Sequence, residues 1–266
     1  MQKLLSHAAI LTGTCFVLLA PATADGVYRG SSYTTPLSWT GFYMGATAGA
    51  VWSNSDASTV VTTPGSNYFN GSDVSQIDSA GATQRQTGTD FTGGFEAGVN
   101  FQIGNWVWGV EADASSMRVR DSESATVSYL SSPAHSFTAS SETHANWLVT
   151  LRPRLGFAVN NLLFYGTGGL ALSDVKHRFE FSDTFASAAE SASASTTVGW
   201  TVGGGIELMV CRNWTMKAEY LYVDFGKDSA AGVVVNTVSP QISFPTLAHE
   251  VDLTTQIARA GINYKF

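Results

Sequence analysis

Nine charged residues carry whatever chemistry this chain has: Glu96, Glu111, Asp113, Arg152, Arg154, Glu207, Lys217, Glu219 and Arg259. Six of them form pairs two residues apart, as in Glu111/Asp113, Arg152/Arg154 and Lys217/Glu219, which is the repeat of one face of a strand. The residues between and around them are apolar, so the charges share the side opposite a continuous apolar face. Charges gathered in this way could line a gated or selective narrow pore. They could instead neutralise one another as a plug of ion pairs, and the plug is the expected arrangement, because a barrel of eight strands is only wide enough for side chains to fill it.

Two further sets of residues suggest weaker chemistry. Four histidines, His135, His144, His177 and His249, fall in or beside long polar connections. Three of them, His144, His177 and His249, approach one rim from different strands, as ligands of a transition metal or haem iron would. Against that, the fourth and fifth strands adjoin while the eighth lies across the barrel, so no metal and no cofactor is expected. His135-Ser136 and the rim acids are the only hint of hydrolysis. G-x-S-x-G, HExxH and Walker patterns do not occur, and no enzyme is expected.

The elements that must hold the nine charges are read most clearly at the C-terminal stretch Leu253–Phe266. Ala258, Ala260, Ile262, Tyr264 and Phe266 fall on one side and Arg259, Gly261, Asn263 and Lys265 on the other, the two-residue period of a strand. The same alternation starts at Trp39, with Phe42, Met44, Ala46 and Trp52 on the apolar side. It recurs through segments centred on Phe95, Trp108, Leu151, Phe164, Trp200 and Met216. Eight segments result, each long enough for the roughly 9–11 residues of a tilted membrane strand. In the seventh, Leu221, Val223 and Phe225 break the polar face and suggest a bulge.

Short and long connections alternate. Gly104-Asn105, Asn160-Asn161 and Cys211-Arg212-Asn213 read as tight turns. The stretches 54–90, 120–143, 176–196 and 227–251 are polar, rich in Ser, Thr and Ala, and read as loops. Outer-membrane barrels have short periplasmic turns and long external loops, which places the four long connections outside the cell. The turns also set registers: Ile103 opposite Trp106, Val159 opposite Leu162, and Val210 opposite Trp214. Each keeps apolar against apolar, whereas a one-residue slip would invert a strand. By the same registers Glu207 opposes Lys217 as a direct pair. Glu96 opposes Asp113, two acids that need Arg152 or Arg154 between them. Aromatics sort into two girdles, with Trp106, Trp108, Phe157 and Trp214 near the tight turns and Trp52, Phe91, Trp147 and Trp200 near the long connections. The alternative is a lipocalin-like soluble barrel, whose apolar face would point inward.

The opening apolar run ends in Ala22-Thr-Ala24, an A-x-A cleavage pattern, so residues 1–24 read as a signal peptide, 25–38 as a periplasmic linker and 39–266 as the barrel. Removing that segment takes Lys3 and Cys15, leaving Cys211 as the one cysteine and 13 basic against 21 acidic residues, a net charge of −8. A disulfide framework and an electrostatic nucleic-acid footprint are both excluded. Charged residues are 13% of the chain against about 25% in ordinary domains, a composition suited to a β protein of the envelope.

GFYMGATAGAVW near the start, NWTMKAEYLYVDFG in the seventh strand and the closing ARAGINYKF resemble the small outer-membrane β-barrels of alphaproteobacteria. These are porin-like outer-membrane immunogenic proteins related to the OmpA transmembrane domain. The resemblance spans Trp39 to Phe266. It implies an all-β, eight-stranded antiparallel transmembrane barrel, with Phe266 as the terminal aromatic read by the barrel-assembly machinery. Because nothing follows Phe266, no peptidoglycan-binding domain of the kind that full-length OmpA carries is expected. Two functions follow as expectations: a structural, porin-like envelope protein with at most a narrow pore, or a surface adhesin or ligand-capture protein acting through its loops. Expected partners are outer-membrane lipid and lipopolysaccharide, the assembly machinery, and host or environmental surface ligands, but not nucleic acid.

Overall fold

The structure, a computed structural model, describes residues 37–62, 69–81, 84–184, 188–236 and 246–266. The expected signal peptide 1–24 and all but the end of the linker 25–38 lie outside the described residues. In chain order the elements are β1 (Gly41–Val61), α1 (Gly71–Gly81), β2 (Gln84–Ile103), β3 (Trp106–Ser128), β4 (Ser136–Val159), β5 (Leu162–Asp183), β6 (Ala188–Met209), β7 (Trp214–Val233), β8 (Val235–Asn236) and β9 (Thr246–Lys265). The sheet order β5-β4-β3-β2-β1-β9-β7-β6 is closed by a β5–β6 pairing, with every pair antiparallel. That is the expected eight-stranded barrel, and β8 is a two-residue spur on β6.

The apolar alternation faces outward. Phe95 is 76% exposed, Ile103 72% and Leu155 57%, and Met44, Leu151, Val202, Ile206, Met216 and Ile262 are exposed on the same outer face. Such a band is unstable against water and stable against hydrocarbon, and a closed ring leaves no strand edge unpaired in the bilayer. The lipocalin-like alternative, which needs the apolar face inside, is therefore wrong.

The tight turns hold the expected registers: Ile103 pairs with Trp106, Val159 with Leu162, and Leu208 with Met216. Gly104 (φ 61°) and Asn160 (φ 57°) open the two-residue turns in the left-handed region that such hairpins require. Each turn also carries an asparagine that clasps the strand ahead. Asn105 accepts from Ala158 N at 2.7 Å and donates to Ala158 O at 3.0 Å. Asn161 does the same with Met209, at 2.8 and 3.4 Å. Asn213 accepts from Lys265 N at 2.7 Å and donates to its carbonyl at 2.6 Å.

At the other end the expectation fails. The stretches 54–90, 120–143, 176–196 and 227–251 are not simply loops: all four strand pairs run on into them, through most of the last three, and α1 lies in the first. Ser, Thr and Ala form these extensions because small side chains pack inside a narrow closed wall that no longer meets lipid. Register shifts at Ser116/Val119, His144/Leu148, Leu172/Val175 and Asp224/Lys227 mark where the membrane belt ends and the extension begins. The irregularity expected in the seventh strand is the last of these, where Gly226 (φ 69°) donates to Asp224 Oδ1 at 2.7 Å. Leu221, Val223 and Phe225 do not disturb the alternation; they point inward and are buried.

The interior is therefore layered. Nearest the tight turns, Trp39, Val107, Ala158, Leu163, Tyr165 and Met209 pack together. The charged residues come next. Beyond them lies an apolar layer from β1, β3, β4, β5, β7 and β9 that includes Val51, Met117, Leu148, Leu221, Phe225 and Ile257. At the far end Phe69 and Ile77, the latter on α1, cover Tyr129, Phe137, Phe181 and Leu247.

Candidate functional site: the charged layer of the lumen

Six of the eight strands of the ring carry these charges, at inward-pointing positions. Glu96 comes from β2, Glu111 and Asp113 from β3, Arg152 and Arg154 from β4, Glu207 from β6, Lys217 and Glu219 from β7, and Arg259 from β9. All nine are buried. Arg152, with no exposed surface, lies 2.6 Å from Glu111, 2.9 Å from Asp113 and 3.3 Å from Glu219. Arg154 lies 2.7 Å from Glu207 and 3.4 Å from Glu111. Lys217 lies 2.7 Å from Glu96, 3.1 Å from Glu111 and 3.8 Å from Glu219. Arg259 lies 2.6 Å from Glu219 and 2.9 Å from Asp113. Guanidinium forks facing buried carboxylates give short, charge-assisted bonds.

Two details of the expected pairing are corrected. Glu207 and Lys217 are register partners, but no ion pair joins them among the described residues. Their stems leave the wall side by side and reach for opposite charges across the lumen, Lys217 to Glu96 and Glu111, and Glu207 to Arg154 and to the Thr215 hydroxyl at 2.5 Å. Glu96 and Asp113 are also register partners, and Arg152 does reach Asp113, but Glu96 is approached by Lys217 and, at 4.0 Å, by Arg259.

Two tyrosines absent from the expected set complete the layer. Tyr43 on β1 donates to Glu111 at 2.7 Å and Tyr165 on β5 donates to Glu219 at 3.0 Å, while the Arg154 guanidinium lies 4.0 Å above the Tyr165 ring. Each ring lies over a glycine on the neighbouring strand. A Cβ at Gly98 would stand 2.5 Å from Tyr43 Cζ, and one at Gly205 would stand 2.7 Å from Tyr165 Oη. The signal was available in the sequence: both tyrosines share the inward parity of the charges.

The rim histidines are not brought together. His144 faces outward, 2.7 Å from Glu142. His177 and His249 point inward from the strand extensions, not from loops. His177 Nδ1 lies 3.0 Å from Thr143 Oγ1, and burial lowers its pKa to about 4. His249 lies 2.9 Å from Thr59 Oγ1 and stacks on Phe179 at 4.5 Å, so a β5 side chain meets a β9 side chain inside the extension. His144 leaves the set because the shift between His144 and Leu148 turns it to the outer side of the wall. Among the described residues no three His, Cys, Asp or Glu side chains are grouped to hold a metal ion. Phe266 is 64% exposed at the closing seam, its N–H donating to Phe42 O at 2.9 Å and its ring 5.1 Å from Tyr264.

The family model described as "Outer membrane protein beta-barrel domain" matches residues 17–266. The 31 kDa outer-membrane immunogenic protein of Brucella melitensis is 36% identical over 231 residues, covering 86% of this chain and 84% of that protein. A 22 kDa outer membrane protein of Rhizobium leguminosarum is 31% identical over 158 residues, covering 59% and 63%. Among solved structures, the outer membrane protease OmpT from Escherichia coli matches with a TM-score of 0.50 at 8% identity, covering 85% of this chain and 97% of that one, a likeness of fold.

Proposed function

Since this chain belongs to the outer membrane protein β-barrel family and resides in the outer membrane of Gram-negative bacteria, we propose that it is a structural envelope protein whose barrel is closed rather than conducting. The observation that supports this reading is the layer of Met117, Leu148, Leu221, Phe225 and their neighbours, which crosses the lumen directly above the ion pairs. A hydrated ion would have to pass both a dry apolar layer and a set of charges already paired with one another. The outer face would meet lipid and lipopolysaccharide, and the exposed Phe266 would be read by the assembly machinery. No catalysis is included in the proposal. Planar-bilayer recordings on refolded protein should show no channel steps, and steady conductance would refute a closed lumen. Loss of the protein should sensitise the envelope to detergent, and a barrel with trimmed extensions should restore resistance.

The strand extensions favour a second reading, capture of a ligand at the cell surface. From Leu172 to Asp183, β5 continues past the apolar belt for about 35 Å at the usual rise of a strand. The outer wall there carries a polar groove with Glu123, Glu142, Arg178 and Glu180. Transplanting the extensions onto another eight-stranded barrel should carry any surface binding with them, whereas an envelope role would stay with the original barrel.

A further inference from the structure

The charged layer does not balance. Among the described residues it holds five carboxylates, Glu96, Glu111, Asp113, Glu207 and Glu219, against four cations, Arg152, Arg154, Lys217 and Arg259. An uncompensated charge between two apolar layers is costly enough that a group in this position takes up a proton.

The hydrogen bonds show which carboxylate is left over. Glu111 accepts from Tyr43, Arg152, Arg154 and Lys217. Asp113 accepts from Thr150, Arg152 and Arg259. Glu207 accepts from Arg154, Thr215 and Asn263, and Glu219 from Arg152, Tyr165 and Arg259. Glu96 is 3% exposed, and neither of its carboxyl oxygens accepts a hydrogen bond from any described residue. Lys217 stands 2.7 Å from its Oε2 as an ion pair, while the hydrogen bonds of its ammonium run to both oxygens of Glu111 at 3.1 Å.

We propose that the lumen layer binds one proton and that Glu96 carries it, as a neutral carboxylic acid at neutral pH. The proton makes the layer electrically neutral. It also removes the repulsion between Glu96 and its neighbours Glu111 and Asp113, while Lys217 and Arg259 remain free to serve Glu111, Asp113 and Glu219. A metal cation is the poorer occupant, because hard cations need several oxygens together and the described residues offer no such group. The proposal rests on the lumen being closed and dry.

Infrared spectroscopy of the refolded protein in lipid vesicles at pH 7 tests it. The spectrum should contain the carbonyl stretch of a buried carboxylic acid, sensitive to D2O, shifted by carbon-13 labelling of glutamate, and absent in Glu96→Gln. Between the ordinary glutamate pKa of about 4.3 and the pH at which folded Glu96 ionises, the unfolding equilibrium constant of the wild type should rise by about tenfold per pH unit, because the folded state binds the proton more tightly than the unfolded chain; the slope should vanish above that pH and be missing from Glu96→Gln. An absent band, a band that ignores the glutamate label, or one that survives in Glu96→Gln would each overturn the proposal, as would stability that follows sodium or potassium concentration. If Glu96→Gln fails to fold, Glu96→Asp decides, because the band must then cease to respond to the glutamate label. Conductance in planar bilayers would sink the closed-lumen reading, whereas a missing band in a non-conducting barrel would sink this inference alone.

Discussion

Replacing Arg152 by methionine removes one guanidinium with little change in side-chain bulk, and it should be among the most damaging single changes in the barrel. Arg152 has no exposed surface and lies within 3.3 Å of three carboxylates. Each contact represents a gross attraction of about 5–6 kcal/mol at an effective dielectric constant of about 20, most of it offset by the desolvation of the ions. Loss of the arginine leaves Glu111, Asp113 and Glu219 desolvated and short of a partner, a situation that costs about 3–5 kcal/mol. Urea unfolding in micelles, followed by tryptophan fluorescence, should show the midpoint falling at an unchanged slope. Adding Glu219→Gln to Arg152→Met should recover part of the loss, a coupling of about 0.5–3 kcal/mol. The pair Glu207 and Lys217 provides the control: directly opposed in register but not in contact, it should show the smaller coupling. A loss below about 1 kcal/mol for Arg152→Met, or a stronger coupling for the control pair, would refute the reading of the layer as a cross-lumen network.

Three further outcomes follow. Cys211 is exposed in the turn between β6 and β7, so a membrane-impermeant thiol reagent should label it only after the outer membrane is opened, while tags in the extensions should react on intact cells; the reverse would invert the topology. His177 lies beyond the belt with its pKa lowered to about 4 by burial. Between about pH 6.5 and 4 the unfolded chain therefore binds more protons than the folded one, and about 3 kcal/mol of stability, complete above pH 6.5, is lost as pH falls through that window. Hydrogen exchange in the extensions should accelerate across it, and His177→Gln should flatten the response. Gly98→Ala should push the Tyr43 ring off its seat and lower stability by about 1–3 kcal/mol, the usual cost of overpacking, whereas Gly104→Asn should be mild, because nothing crowds a Cβ there and asparagine tolerates the left-handed region.

The belt could be read from the sequence because it meets two solvents. Phe95 must face lipid and Glu96 must not, and the tight turns then carry that parity from one strand to the next. The extensions could not be read in the same way. In β6, the run Ser191-Ala-Ser-Ala-Ser195 belongs to a wall with water outside and a narrow packed interior, so small polar and small apolar residues serve on both faces. The helix α1 was missed inside a stretch read as a loop, although an N-cap residue stands at its start: Asn70 Oδ1 accepts from Ser72 N and Asp73 N, both at 3.0 Å. In the charged layer, membership follows from parity but partnership does not. Register places Lys217 beside Glu207, whereas its ammonium goes where a flexible stem can reach across the lumen, a fact of three-dimensional closure that no pair of strands contains.

The three asparagine clasps make the barrel a structure indexed from one end. Each tight turn fixes its own hairpin and also grips the first strand of the next hairpin or, at Lys265, the strand that closes the ring. The alignment of the whole cylinder is thus written into three short turns on a single rim. Insertions, deletions or exchanges at the distant rim lengthen or reshape the wall without sliding any strand past its neighbour. Such a barrel can vary the surface it shows to the outside while the part inside the membrane keeps its count.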